Sequence, residues 1–220
     1  MKPVTILTAG LDPLPHEQAM AGAIATLAPD RPCRFEPGRS YSLNPETDVC
    51  PLTLTVPALD LPALDLPALD NALFQQCADV AGLRDRVRQE WSIPHCNSGD
   101  RSLPILWLPV IWTAKGPLYA EVIQDQSGTY HQPYHLKDKQ RQPLYRFAFQ
   151  LLDQLQATPA VYMMAIQWQE EGFAFDRLLP FPNAAAIASV EVQSPDLFAC
   201  HWQCLQRQPI WDVQIWGQVD

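Results

Sequence analysis

Apolar positions along this chain follow three different rhythms, and each rhythm predicts a different kind of element. Residues 4–9, VTILTA, are a short, partly β-branched run that stops at Gly10, the pattern of a buried strand. A proline-marked loop follows. HEQAMAGAIATLA then places Met20, Ala23, Ile24 and Leu27 at helical spacing, with Pro15 at the first turn, where a missing N–H costs nothing. CRFEP and VCPLTLTV read as two further short strands. Strand, helix, strand in this order predicts a small βαβ unit with parallel pairing.

Residues 56–70, VPALDLPALDLPALD, break the rhythm. Five residues recur three times, changed only at Val56, Leu61 and Leu66. A period of five fits neither helix nor strand, and proline in every unit forbids both as long elements. Three such units are also too short to stack into a solenoid. The stretch reads as an extended surface loop lengthened by duplication; a Pro–Leu docking strip for a partner is the rival reading. Asp70 is suited to cap the helix read from NALFQQCADVAGLRDRVRQEW, with Phe74, Cys77, Ala81 and Val87 on one side.

SIPHCNSGDRSLP is a turn-rich connector, and a boundary between residues 97 and 98 divides the chain into 1–97 and 98–220. Beyond it the pattern becomes antiparallel. ILWLPVIWT and PLYAEVI read as a hairpin turning at Lys115–Gly116, followed by a strand in TYHQPYH. PLYRFAFQLLDQLQA carries Leu144, Phe147, Leu151, Leu152 and Leu155 as a helical stripe, with Pro143 in its first turn. VYMMAIQWQ and FAFDRLLPF flank a Gly turn as a second hairpin. Ser194 is the expected cap of a last helix, and PIWDVQIWG closes as an alternating strand. The fold class read from this order is mixed α/β and α+β: a βαβ unit, then an antiparallel-sheet lobe with two helices.

Composition narrows the function classes. A formal charge of −9 and a hydrophobic content of 47% over 220 residues describe a globular acidic chain. No nucleic acid is expected as a partner, since phosphate backbones are held by clustered Lys and Arg. The one basic group, Arg84, Arg86 and Arg88, is interrupted by Asp85 and reads as a solvated helix face. The densest apolar run, ILWLPVIW, is too short and proline-broken to span a membrane, and the start of the chain forms no secretory h-region. A soluble cytoplasmic protein with reduced cysteines is expected.

Candidate chemistry is sparse. Cys200 and Cys204 sit i, i+4 around His201 and could share a metal ion, yet a zinc site needs four ligands and no second pair is spaced to complete it. Core packing is the plainer reading. His131 and His135 read as surface histidines. No Gly-x-Ser-x-Gly, P-loop or His-Glu-x-x-His is present. TAGLDPLP has the position of a dinucleotide loop but lacks its further glycines, and reads as structural. Trp107, Trp112, Trp168, Trp202 and Trp216 are expected in the core, with a Trp-lined groove as the alternative.

From about residue 105 onward, the order of elements resembles the closing part of ATP-grasp carboxylate–amine ligases. The likeness runs through the helix PLYRFAFQLLDQL, the strand AVYMMAIQW, a Gly turn, the Pro-x-Pro element PFPNAA and a terminal helix within SVEVQSPDLFACHWQCLQRQPI. The resemblance implies a Mg-ATP site with acidic residues on the last two strands. Here those positions fall at Ile166 or Gln167 and at Arg177, with Asp176 beside it as the only carboxylate. Phe181 stands at the arginine of the family's Pro-Arg-Pro, and the chain has no room for the Gly-rich segment and lysine that cover the phosphates. Two readings follow: a non-catalytic binding or assembly protein with another protein as its partner, or a ligase-type enzyme placing Lys115, Glu121 and Asp176 around a nucleotide. A zinc or thiol protein built on Cys200 and Cys204 is the third. No cofactor is identified, and a small-molecule ligand stays open.

Overall fold

A computed structural model describes residues 2–42, 44, 46–55, 71–96, 103–169 and 172–216. The repeat at 56–70, Asp70 and the proposed boundary at 97/98 lie outside the described residues. β1 (Val4–Thr8) is buried along its whole length and pairs in parallel with β2 (Cys33–Pro37) on one side and β3 (Asp48–Pro51) on the other. α1 (Pro15–Leu27) supplies the crossover, as the βαβ pattern requires, and buries Met20 and Ile24.

The single helix expected over 71–91 is two. α2 (Asn71–Ala78) ends at Asp79, whose carboxylate accepts from the Gly82 N–H at 3.0 Å and so caps α3 (Val80–Trp91). The break resets the helical phase: Leu83 and Val87 are buried, whereas Ala81, expected on that side, is exposed.

The second half is built around a six-stranded antiparallel sheet of order β7-β6-β4-β8-β9, with β5 paired to β4 off that path. Its strands are β4 (Ile105–Thr113), β5 (Gly116–Tyr119), β6 (Val122–Gln126), β7 (Thr129–Tyr134), β8 (Ala160–Gln169) and β9 (Gly172–Leu179). The run PLYAEVI is therefore divided: β5 pairs with the far half of β4 and β6 with its near half, on the same edge. α4 (Asp138–Gln154) begins a turn earlier than Pro143 suggests. The Lys137 N–H donates to Gln140 Oε1 at 3.0 Å, closing the start of the helix, and Pro143 lies inside it. The last helix, α5 (Leu197–Leu205), is capped by Asp196 rather than Ser194; its Oδ1 accepts from the N–H groups of Phe198 and Ala199 at 2.9 and 2.8 Å. PIWDVQIWG reduces to β11 (Gln214–Ile215), paired with β10 (Gln193–Ser194).

Alternation along β4 and β8 sends successive side chains to two cores, as the pleat demands. Trp107, Ile111, Val161, Met163 and Ala165 meet β1, α1 and α5; Leu106, Leu108, Val110, Tyr162, Met164 and Ile166 meet α3 and α4. The two halves of the chain thus share one core on the first face. Arg31 fastens them from outside: it donates to the Lys2 carbonyl at 2.9 Å and to Gln206 Oε1 at 3.1 Å, pairs with Asp48, and lies 5.1 Å over the Trp202 ring. Trp107 and Trp202 are buried as expected, but Trp216, just past the two-residue β11, is 58% exposed. No helix among the described residues is long and apolar enough to cross a membrane.

Candidate functional site

The paired strands β8 and β9, on which the resemblance expects acidic residues, are shaped by one irregularity. Ile166 pairs with Phe175 and Ala165 with Arg177, which leaves Asp176 as the extra residue of a bulge. A bulge re-aims a side chain. Here the carboxylate meets α3, where Arg84 donates from Nε to the Asp176 carbonyl at 2.8 Å and from a terminal nitrogen to Oδ1. Arg177 Nε donates to the other oxygen, Oδ2, at 2.8 Å. The Asp176 side chain is only 8% exposed, so both guanidinium groups work on a carboxylate largely removed from water. Arg84 is therefore not part of a solvated face; Arg86 and Arg88 are, pairing with Glu90 and Asp85 along their own helix.

The neighbouring groups described on and beside β8 and β9 are engaged as well. Gln167, buried on β8, donates to the Leu103 carbonyl at 3.4 Å. Pro94–Cys96 adds itself to the outer edge of β9 through bonds of 2.8 and 3.0 Å with Phe175, and burial, together with the nearby Asp176 carboxylate, pushes the Cys96 thiol up to about 11. Phe181 is 5% exposed and stacks on Phe74 of α2, ring centres 6.2 Å apart. A Mg-ATP site needs hard, anionic oxygen ligands free to reach the metal. An amide, a guanidinium, a carboxylate already shared by two arginines and a buried phenyl ring do not fit that group.

Lys115, Glu121 and Asp176 are not brought together. Lys115 occupies the β4–β5 turn, with Nζ 3.8 Å over the Trp211 ring. Asp176 lies level with Trp107, six residues back along β4 and two strands across, so about 20 Å separates the two along the strand direction alone. Glu121 follows Ala120 on the opposite edge of β4, where it meets His135 at 3.5 Å and Arg141 at 3.7 Å. His131 and His135 are exposed, in keeping with surface histidines.

The β1–α1 loop is tied at both ends by a buried carboxylate. Glu17 is fully buried; Oε1 accepts from the Ala9 N–H at 3.1 Å and Oε2 from the Leu14 N–H at 2.6 Å. The N–H groups of Ala9 and Leu14, at either end of the loop, are thus taken by the chain's own carboxylate. Among the described residues no group of three His, Cys, Asp or Glu could hold a metal ion. Burial lifts the Cys77 and Cys204 thiols to about 12 and raises Cys50 and Cys200 further, which removes them as nucleophiles at neutral pH.

Sequence reasoning missed Arg84 and Glu17. The first had a weak signal, its place beside Leu83 on the side that also buries Val87. The second had a stronger one: Glu17 stands three residues after the last loop residue, the spacing of a capping-box acid.

No protein-family model matches the sequence, and no curated protein matches it. Solved structures do match. The L-amino acid ligase from Bacillus licheniformis superposes with a TM-score of 0.71 at 11% identity, over 94% of this chain and 74% of that one. The glycinamide-RNase-transformylase T from Mycobacterium tuberculosis gives 0.68 at 14%, over 95% and 80%. The N5-carboxyaminoimidazole ribonucleotide synthetase from Thermotoga maritima gives 0.67 at 11%, over 98% and 78%. The likeness extends beyond residue 105 to nearly the whole length of the chain, and this protein has the fold of the ATP-grasp carboxylate–amine ligases.

Proposed function

We propose that this chain uses the ATP-grasp fold as a non-catalytic scaffold, a cytoplasmic binding or assembly protein whose partner is another protein. The observation that carries the reading is the fate of the Asp176 carboxylate on β9: it is shared by Arg84 and Arg177, and Arg177 falls where the resemblance expects an acidic residue. A site that replaces a metal-binding acid with a cation repels the metal it would need. Trp211, 74% exposed, and Trp216 offer aromatic surface of the kind that protein interfaces use.

The second reading, an ATP-dependent ligase, draws on the named activities of the similar structures. A thermal-shift titration with ATP and ADP, each with and without magnesium, separates the two. Saturating nucleotide at about 100 times its dissociation constant adds roughly 2.7 kcal/mol to a protein that binds it. The scaffold reading expects a flat response through millimolar nucleotide. A magnesium-dependent rise in Tm returns the chain to the ligase reading.

A further inference from the structure

β8 extends past its partner. Its last pair with β9 is Met163–Leu179, whereas its pairing with β4 continues through Val161 and Ala160. The N–H of Val161 therefore points to a side of the strand that β9 has left. A buried sheet N–H without a partner is costly. The acceptor is a side chain: His201 of α5 takes this N–H on Nδ1 at 3.1 Å. The imidazole continues the ladder where a strand is missing.

This bond fixes the chemistry of the ring. Nδ1 accepts, so it carries no proton, and the neutral ring holds its proton on Nε2, which is buried with no hydrogen-bond partner among the described residues. A second proton would set an N–H against the N–H of Val161 and leave a buried cation without an anion. The elements packed on α5 supply none for it. β4 and β8 present Trp107, Ile111, Val161 and Met163; the short 3-10 turn Ala184–Ser189 has no titratable side chain; α5 itself adds only Cys200, Cys204 and the capping Asp196. From α1 come His16 and Glu17, and the Glu17 carboxylate is engaged by Ala9 and Leu14. Arg31 faces Trp202. Burial alone holds His201 down, to about 3.

We propose that His201 is an acid-released latch: protonation at Nδ1 frees α5 from β8, and exposes the apolar face between them, while the sheet and α4 stay folded. The docked ring resists the proton and the released ring, near 6.5, accepts it. Docking is therefore complete above about pH 6.5 and weakens as pH falls, by up to tenfold per unit for a one-proton release.

Hydrogen exchange of the full chain between pH 7 and pH 5, corrected for intrinsic rates, reads the latch directly. The opening constant of residues 197–205 should rise about eightfold from pH 6 to pH 5, with Trp202 fluorescence shifting red, while residues 144–152 of α4 keep their protection. His201→Asn offers an acceptor at the Nδ1 position and does not titrate, so it should remove the slope. His16 is also lowered, chiefly by burial, and His16→Asn should leave the slope intact. The proposal is overturned if α5 and α4 lose protection together at every pH, if His201→Asn keeps the slope, or if His16→Asn abolishes it. Should His201→Asn not fold, the ratio of α5 to α4 protection in the unaltered protein decides alone.

Discussion

Among the described residues two carboxylates are buried, Glu17 after the β1–α1 loop and Asp176 on β9, and they are satisfied by different means. Glu17 is held by backbone N–H groups of its own loop, within eight residues of chain. Asp176 is held by guanidinium groups, one of them reaching across 92 residues from α3. The first arrangement is local and neutral, and it stiffens a turn. The second joins two elements by charge, so it depends on both being in place. The contrast is between a buried carboxylate satisfied by its own loop and one satisfied only when two elements far apart in the chain have docked.

The largest effect is expected at Phe181, past the end of β9, on the first core. Phe181→Ala removes a buried ring from its stack on Phe74 and should cost about 3–5 kcal/mol. Thermal unfolding should then shift by about 10 °C for a chain of this size, without a gain in magnesium–nucleotide binding. A Tm-neutral Phe181→Ala that binds Mg-ATP would overturn the reading of this ring as core packing.

Next is the ion pair itself. Arg84→Met leaves Asp176 with Arg177 alone and should cost roughly 3 kcal/mol, since removing one partner leaves buried charge uncompensated. The double variant Arg84→Met, Asp176→Leu should recover most of that loss. Denaturant titration of the three proteins checks the cycle; simple additivity would mean that the two side chains are not coupled. Glu17→Gln is the matching change at the other carboxylate. It turns one acceptor into a donor facing an N–H, and about 1–3 kcal/mol should follow from that mismatch. The loss should be smaller than at Arg84, because no opposite charge is stranded.

The difference between the two sites also marks what the sequence could disclose. The Leu14–Glu17 spacing and the Pro15 start of α1 are local signals, and so are the alternations of β4, β8 and β9 that place the sheet. The split at Asp79 was written in the same local code, an Asp capping the N–H three residues on, but the apolar run continued across it and hid the break. Asp176 was visible as the carboxylate beside Arg177. Its meeting with Arg84 was not, because that contact needs a bulge in β9 and the docking of α3, neither of which leaves a period in the sequence. The distance between Lys115 and Asp176 was hidden for the same reason: strand order decides it.

The smallest effect is expected where the charge is exposed. Lys115 lies over Trp211 at the surface, and Lys115→Ala should cost under about 1 kcal/mol, the range of exposed cation–π contacts. It is the control for the buried pair. Raising salt should shrink the already small Lys115 effect, while the Arg84→Met loss should persist, since buried charges are screened far less than exposed ones. If both losses faded alike with salt, the Asp176 carboxylate would have to be open to water, and the contrast between a sealed site and an exposed surface would fail at its centre.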